Sequence, residues 1–243
     1  MGKPGFGKCL REHSLENSGH KKTPWSVALS DDGNLMATGS EDATIMVWDT
    51  RSGALLRTLK GHTLTIWSLD FTPDGQQLVS GSYDRTLKFW NTADGKLLRS
   101  VQAHEQAIVT LAVSHDGKTV ATGADDCNIR IWSVDNGTLV REIKGSEEHV
   151  QAIAFSPDDR WLISGGRDKP VIGELLQEVF GDSRMNKGVT MRLWEVESGK
   201  MLQTFEHHGN DATDMSFSPD GHWIALASAD HTVSIWKRTT VPQ

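Results

Sequence analysis

The chain is short of the residues that staple, span or neutralise. Cysteine occurs twice in 243 residues, at Cys9 and Cys127, too few for a disulfide framework and without the CxxC or Cys/His spacing of a zinc site. No metal and no cofactor is expected. No run approaches the ~18 consecutive apolar residues of a membrane span, and the opening MGKPGFGKCLREHSLENSGH has no apolar stretch of the secretory kind. The expectation is a soluble, cytoplasmic chain, with the nucleus also open to it. Positive charge is scarce too: 25 Lys and Arg against 32 Asp and Glu leave a formal net charge of −7, with no basic block. That balance argues against a chiefly electrostatic grip on nucleic acid or anionic lipid.

Tryptophan, by contrast, is plentiful, nine against a single tyrosine, and it sets a period. Trp48, Trp90 and Trp132 lie 42 residues apart, Trp194 follows after 62, and Trp236 comes 42 later. The long interval is one repeat plus 20 inserted residues, 169–188. Asp32-Gly33, Asp74-Gly75, Asp116-Gly117 and Asp220-Gly221 each precede the repeat tryptophan by 16 residues. Asp42, Asp84, Asp126 and Asp230 precede it by six, and His20, His62, His104 and His208 by 28, while the fourth copy has Ser146 in the histidine place.

Between these marks the segments are short and β-branched, such as NLMATGS and TIMVW, and each is bounded by Gly, Asp, Ser or Pro. This is strand and turn chemistry, with four strands per repeat. In the first strand one alternating set is bulky (Trp25, Val27, Leu29; Trp67, Leu69, Phe71) and the other small (Ser26, Ala28; Ser68, Asp70). Sheets of this kind bury both faces by stacking around an axis, which predicts an all-β propeller.

The second copy, GHTLTIWSLDFTPDGQQLVSGSYDRTLKFW, resembles a WD-repeat unit, and five such copies fill residues 7 to 237. The reading is one domain, 1–243, a WD-type β-propeller of five four-stranded blades. After Trp236 only KRTTVPQ remains, too short for an outer strand, whereas GKCLR at 7–11 matches GKLLR at 95–99. An N-terminal outer strand is therefore expected beside the last sheet, closing the ring and covering its edge.

Recurring His, Asp and Ser/Thr invite a catalytic reading, but an active site needs one constellation placed once. No catalytic residue is assigned. The resemblance implies instead a buried relay in each blade, running Trp to hydroxyl to His to Asp: Trp48, Thr38, His20 and Asp42; Trp90, Ser80, His62 and Asp84; Trp132, Thr122, His104 and Asp126. The fourth copy lacks the histidine and the fifth has Leu226 where the hydroxyl belongs, so those blades are expected to be weaker. Asp70 and Asp214 are the conspicuous carboxylates of first strands and come from non-adjacent copies.

The resemblance also implies that loops at one end of the blades bind other proteins or peptides. Candidate anchors there are Trp25, Leu64, Trp67, Tyr83, Arg85 and Arg167, residue types enriched at interface hot spots. Residues after the turn aspartates, Ala43, Arg85, Cys127, Lys169 and His231, ring the same end. The insert KPVIGELLQEVFGDSRMNKG has an apolar face at helical spacing that includes Leu175 and Phe180, so a short amphipathic helix is predicted on that end. The expected function is a non-catalytic scaffold. Two alternatives stand beside it: a substrate receptor of a cullin-type ubiquitin ligase, from Trp48-Asp49-Thr50-Arg51, and a propeller that binds a small ligand or glycan. The sequence leaves the oligomeric state open.

Overall fold

The computed structural model describes residues 19–144, 149–167, 189–208 and 211–238. The expected N-terminal outer strand, the insert with Leu175 and Phe180, Ser146, Asp168, and the side chains of Arg167 and His208 lie outside what is described.

Nineteen strands form five antiparallel sheets in chain order among the described residues. Blade 1 holds β1 (Pro24–Leu29), β2 (Leu35–Ser40), β3 (Thr44–Asp49) and β4 (Leu55–Lys60). Blade 2 follows with β5 (Ile66–Phe71), β6 (Gln77–Ser82), β7 (Thr86–Asn91) and β8 (Leu97–Gln102). Blade 3 is built of β9 (Ile108–Val113), β10 (Thr119–Ala124), β11 (Ile129–Ser133) and β12 (Leu139–Ile143). Blade 4 comprises β13 (His149–Phe155), β14 (Trp161–Arg167), β15 (Val189–Glu195) and β16 (Met201–His208). Among the described residues blade 5 has three strands, β17 (Ala212–Phe217), β18 (Trp223–Ser228) and β19 (Val233–Lys237).

The first strands pack in series, β1 on β5, β5 on β9, β9 on β13 and β13 on β17. Four apolar clusters fill the four junctions, so the core is divided between blades and not gathered inside any one of them. Blade 1 sends Ala37, Ile45 and Val47 against Ile66, Leu69 and Phe71 of blade 2. Blade 4 likewise sends Ile163 and Met191 against Met215 and Leu226 of blade 5. We call the surface a blade turns to its predecessor its leading face, and the other its trailing face.

Close approach at the junctions depends on a glycine in the second strand. A Cβ on Gly39 would stand 2.6 Å from Ile66 Cγ2, one on Gly81 2.5 Å from Ile108 Cγ2, and one on Gly123 2.4 Å from Val150 Cγ1. Gly81→Ala is therefore expected to cost about 1–2 kcal/mol by forcing the sheets apart. Ala227 holds the same place in blade 5, and Ala227→Gly should cost no more than the ~0.5–1 kcal/mol of glycine in a strand. Urea titrations of the two variants check the contrast.

The Asp-Gly turns have a common local cause. Each aspartate accepts the hydroxyl two residues before it, as Thr72 Oγ1 to Asp74 Oδ1 at 2.6 Å and Ser156 Oγ to Asp158 Oδ1 at 2.6 Å. The next residue sits at positive φ, glycine in four turns and Asp159 (φ 56°) in the fourth blade.

Two differences from the sequence expectation matter. The strict bulky-small alternation of the first strands is broken by a bulge at one place in every blade, between Pro24 and Ser26 in β1 and between Ile66 and Ser68 in β5. Trp25 and Trp67 are the extra residues, so Ile66, Leu69 and Phe71, and not Trp67, fill the junction. Moreover, no extensive contact joins β17 to β1 among the described residues. The leading face of blade 1 and the trailing face of blade 5 are left exposed.

Candidate functional site

The relays occur in three blades as the sequence led us to expect. In blade 2, Trp90 Nε1 donates to Ser80 Oγ at 2.9 Å, Ser80 Oγ lies 2.8 Å from His62 Nε2, and His62 Nδ1 lies 2.9 Å from Asp84 Oδ2. Blade 3 repeats this through Trp132, Thr122, His104 and Asp126, with 2.9, 2.8 and 3.0 Å. Blade 1 does so through Trp48, Thr38, His20 and Asp42, with 3.1, 2.8 and 3.3 Å. Among the described residues blade 4 shows the first bond, Trp194 Nε1 to Ser164 Oγ at 2.8 Å.

Burial pushes the His62 pKa below the usual imidazole range against the opposing pull of Asp84, which keeps the ring neutral. Its one proton then belongs on Nδ1, facing the carboxylate, and Nε2 accepts the Ser80 hydroxyl. For the carboxylates burial acts upward and is outweighed. Thr44 and the Lys21 amide hold Asp42 at about 2, His104 and the Glu105 amide hold Asp126 at about 2, and His62 with Thr86 hold Asp84 lower still. Every polar atom of these relays is spent on the fold, and the arrangement leaves no free nucleophile or base.

Each relay aspartate also shapes the turn that carries it. Asp84 Oδ1 accepts the Thr86 amide and hydroxyl, and its Oδ2 accepts the Thr63 amide from the preceding loop. The residue between is forced to positive φ: Ala43 (64°), Arg85 (70°), Cys127 (63°) and, in blade 5, His231 (69°). A side chain in that region costs about 1–3 kcal/mol and persists only where its surroundings fix it. The turns thus present one such residue at the loop end in each of blades 1, 2, 3 and 5.

The bulges present a second. Trp25, Trp67, Val109, Gln151 and Thr213 are the extra residues in β1, β5, β9, β13 and β17, and none of them is buried. A bulge re-aims a side chain away from the ladder. Here five side chains leave the innermost strands at the end where the relay turns lie. Trp25 and Trp67 meet with ring centroids 4.8 Å apart and planes tilted by 41°. Trp25 is 52% exposed, while Trp67 Nε1 is buried without a hydrogen-bond partner among the described residues, an orphan donor of a kind native structures rarely keep.

Of the sequence-based candidates, Trp25, Leu64, Tyr83 and Arg85 are exposed and Trp67 half-buried at this end. Tyr83 is anchored by its amide to Thr65 O at 2.8 Å, and Arg85 Nη1 reaches Glu105 O at 3.4 Å. His149 Nδ1 meets Asp125 Oδ1 at 2.9 Å between blades 3 and 4. Sequence reasoning did not single out Val109, Gln151 and Thr213. Their signal was present, since they follow Trp25 and Trp67 at the repeat period and differ in kind while the positions around them do not.

The five repeats decide the family. The WD domain, G-beta repeat family matches residues 7–49, 53–91, 95–133, 137–169 and 199–237. The chain belongs to it. Curated WD-repeat relatives share shorter stretches. Protein HIRA of Xenopus laevis is 32% identical over 80 residues, covering 33% of this chain and 8% of that protein. Elongator complex protein 2 of Rattus norvegicus is 41% identical over 49 residues, or 20% and 6%. The target of rapamycin complex subunit wat1 of Schizosaccharomyces pombe is 40% identical over 48 residues, or 19% and 15%. The chain thus spans a small fraction of the length of the relatives it matches.

Other features of the WD-repeat chain lie elsewhere. Trp48-Asp49-Thr50-Arg51 is at the opposite end of blade 1, where Thr50 N donates to Asn34 O and Asp49 Oδ1 accepts the Ser52 amide and hydroxyl at 2.7 and 2.6 Å. Asp49 thereby serves the turn, and Arg51 is exposed. A recess of about 410 Å³ opens between blades 3, 4 and 5, lined by Val113, Ile153, Phe155, Phe217 and His115 among others. Its walls are mostly apolar, without the convergent polar groups that orient a sugar or a small polar ligand. Among the described residues no three His, Cys, Asp or Glu side chains converge as a metal group, and no helix is long and apolar enough to cross a membrane.

Proposed function

We propose that this WD-repeat chain is a protein-interaction scaffold whose docking surface is the loop end of the blades, and that it engages an apolar or aromatic side chain of a partner protein. The observation that carries the reading is the Trp25–Trp67 pair, re-aimed by bulges and left accessible beside exposed Leu64 and Tyr83. Exposed aromatic groups on a rigid frame lose little freedom on binding. The orphan Trp67 N–H offers one acceptor-seeking group beneath them. A net charge of −7 supports a protein partner over a phosphate backbone. Two of the relatives carry the names of multiprotein assemblies, the Elongator and target of rapamycin complexes, which supports the same class of role.

The test is affinity capture with the full chain and with the Trp25→Ser/Tyr83→Ser variant. Proteins retained by the first are expected to lose at least tenfold in yield on the second, while far-ultraviolet circular dichroism and the unfolding midpoint stay unchanged. Equal retention by a folded variant would remove the docking surface from this end.

A further inference from the structure

The two end faces are the halves of one junction. In the leading faces of blades 2 to 4 an aliphatic residue stands just before the bulge of the first strand (Ile66, Ile108, Val150) and two apolar residues follow beyond it (Leu69 and Phe71, Leu111 and Val113, Ile153 and Phe155). In blade 1 the corresponding residues are Pro24, Val27 and Leu29, and the last two are 64% and 60% exposed. The trailing faces that receive them present Ile45 and Val47 in β3, Leu87 and Phe89 in β7, and Ile129 and Ile131 in β11. The counterparts in β19 are Val233 and Ile235, 68% and 64% exposed. Contiguous apolar surface of this kind on opposite ends of one chain marks interaction sites.

Polar groups match as well. At the internal junctions the first-strand amides of the later blade donate to side chains of the earlier one: Leu69 N to Ser26 Oγ at 3.1 Å, Leu111 N to Ser68 Oγ at 3.0 Å and Val113 N to Asp70 Oδ2 at 3.0 Å. The donors at those places in blade 1 are the amides of Val27 and Leu29. The acceptors at those places in blade 5 are Asp214 and Ser216, both exposed. One end carries the donors and bulky side chains, and the other the acceptors and the seat.

We propose that the occupant of each end face is a second copy of this chain, docked head to tail so that blade 1 of one copy packs on blade 5 of the next. This chain is the partner that carries both halves, and the contact continues the junction made four times within it. The interface is heterologous, closing into a ring where the rotation returns to its start and extending where it does not. Ala227 stands where three earlier trailing faces have the glycine that lets Ile66, Ile108 or Val150 approach, so the fifth seat is shallower. Association between copies is accordingly weaker than the internal junctions and depends on concentration. The surfaces used here are separate from the loop end, so this inference stands or falls independently of the proposed docking surface.

Sedimentation of the full chain across a concentration series tests it. The weight-average mass of the wild type is expected to rise towards twice the monomer mass and beyond. Leu29→Lys, which spoils only the leading face, and Ile235→Lys, which spoils only the trailing face, should each stay monomeric alone. Their equimolar mixture should give dimers that grow no further, because each variant retains one good and opposite face. Circular dichroism establishes that both are folded, and Leu29→Ser with Ile235→Ser replace any lysine variant that is not. A wild type monomeric at all soluble concentrations, single variants that still associate, or a mixture that stays monomeric would each overturn the proposal.

Discussion

Ser80→Ala is expected to destabilise the chain by about 2–4 kcal/mol, and Ser164→Ala by about half as much. The two serines occupy the same place in blades 2 and 4, and both are buried. Removing the Ser80 hydroxyl strands two polar atoms at once, Trp90 Nε1 and His62 Nε2, which now lie 2.9 and 2.8 Å from it. A buried donor or acceptor left without a partner costs roughly 1–3 kcal/mol. In blade 4 the sequence has Ser146 in the histidine place, and among the described residues Trp194 Nε1 is the one group bonded to Ser164 Oγ, so one atom is stranded. Urea denaturation of both variants measures the ratio. Equal losses would mean that the histidine adds nothing to the clasp, and that blades 1 to 3 are no better held than blade 4.

The second large effect has the opposite sign. Asp70 lies on β5, the innermost strand of blade 2, where its Oδ2 accepts the Val113 amide at 3.0 Å. Burial pushes its pKa from the ordinary 3.8 up to about 6, against the pull of the Val113 and Phe71 amides. Between pH 4 and 6 the folded chain therefore holds a proton there that the unfolded chain releases, and this group's contribution falls as pH rises through that window. Above pH 6 the fold carries a charge in a half-buried, poorly hydrated place. Asp70→Asn keeps a carbonyl oxygen for the Val113 amide and removes the charge. It is expected to stabilise by about 2–3 kcal/mol at pH 7.5 and by nearly nothing at pH 4. Asp42, Asp84, Asp126 and His62 work the other way, since their lowered folded pKa values contribute stability that is lost as the solution is acidified. They are common to both proteins, so the difference between variant and wild type isolates Asp70. A variant less stable at pH 7.5, or a difference independent of pH, would contradict this.

The repeat period placed the strands and the turns, and the resemblance to WD-repeat units implied the relays, whose bonds form in three blades where a buried indole, imidazole and carboxylate would each cost free energy unpaired. Trp25 and Trp67 were legible as surface candidates but not in their role. Alternation assigned them to the blade junction, and one extra residue in each ladder takes them out of it. A bulge adds no residue that composition can register, and the repeat period marks the place as equivalent between copies without showing that it is bulged. Val109, Gln151 and Thr213 were missed for the same reason. The exposed end faces were also hidden, because a period reports which residues are equivalent and not whether the first and last copies meet.

Backbone hydrogen exchange along the whole chain tests most directly the claim that stability resides in junctions between blades and not within them. The slowest amides are expected in β5 to β11, which have a neighbour on both sides, with β1 and β17 to β19 exchanging markedly faster because one face of each end blade is uncovered. Equal protection of all five blades would contradict the account.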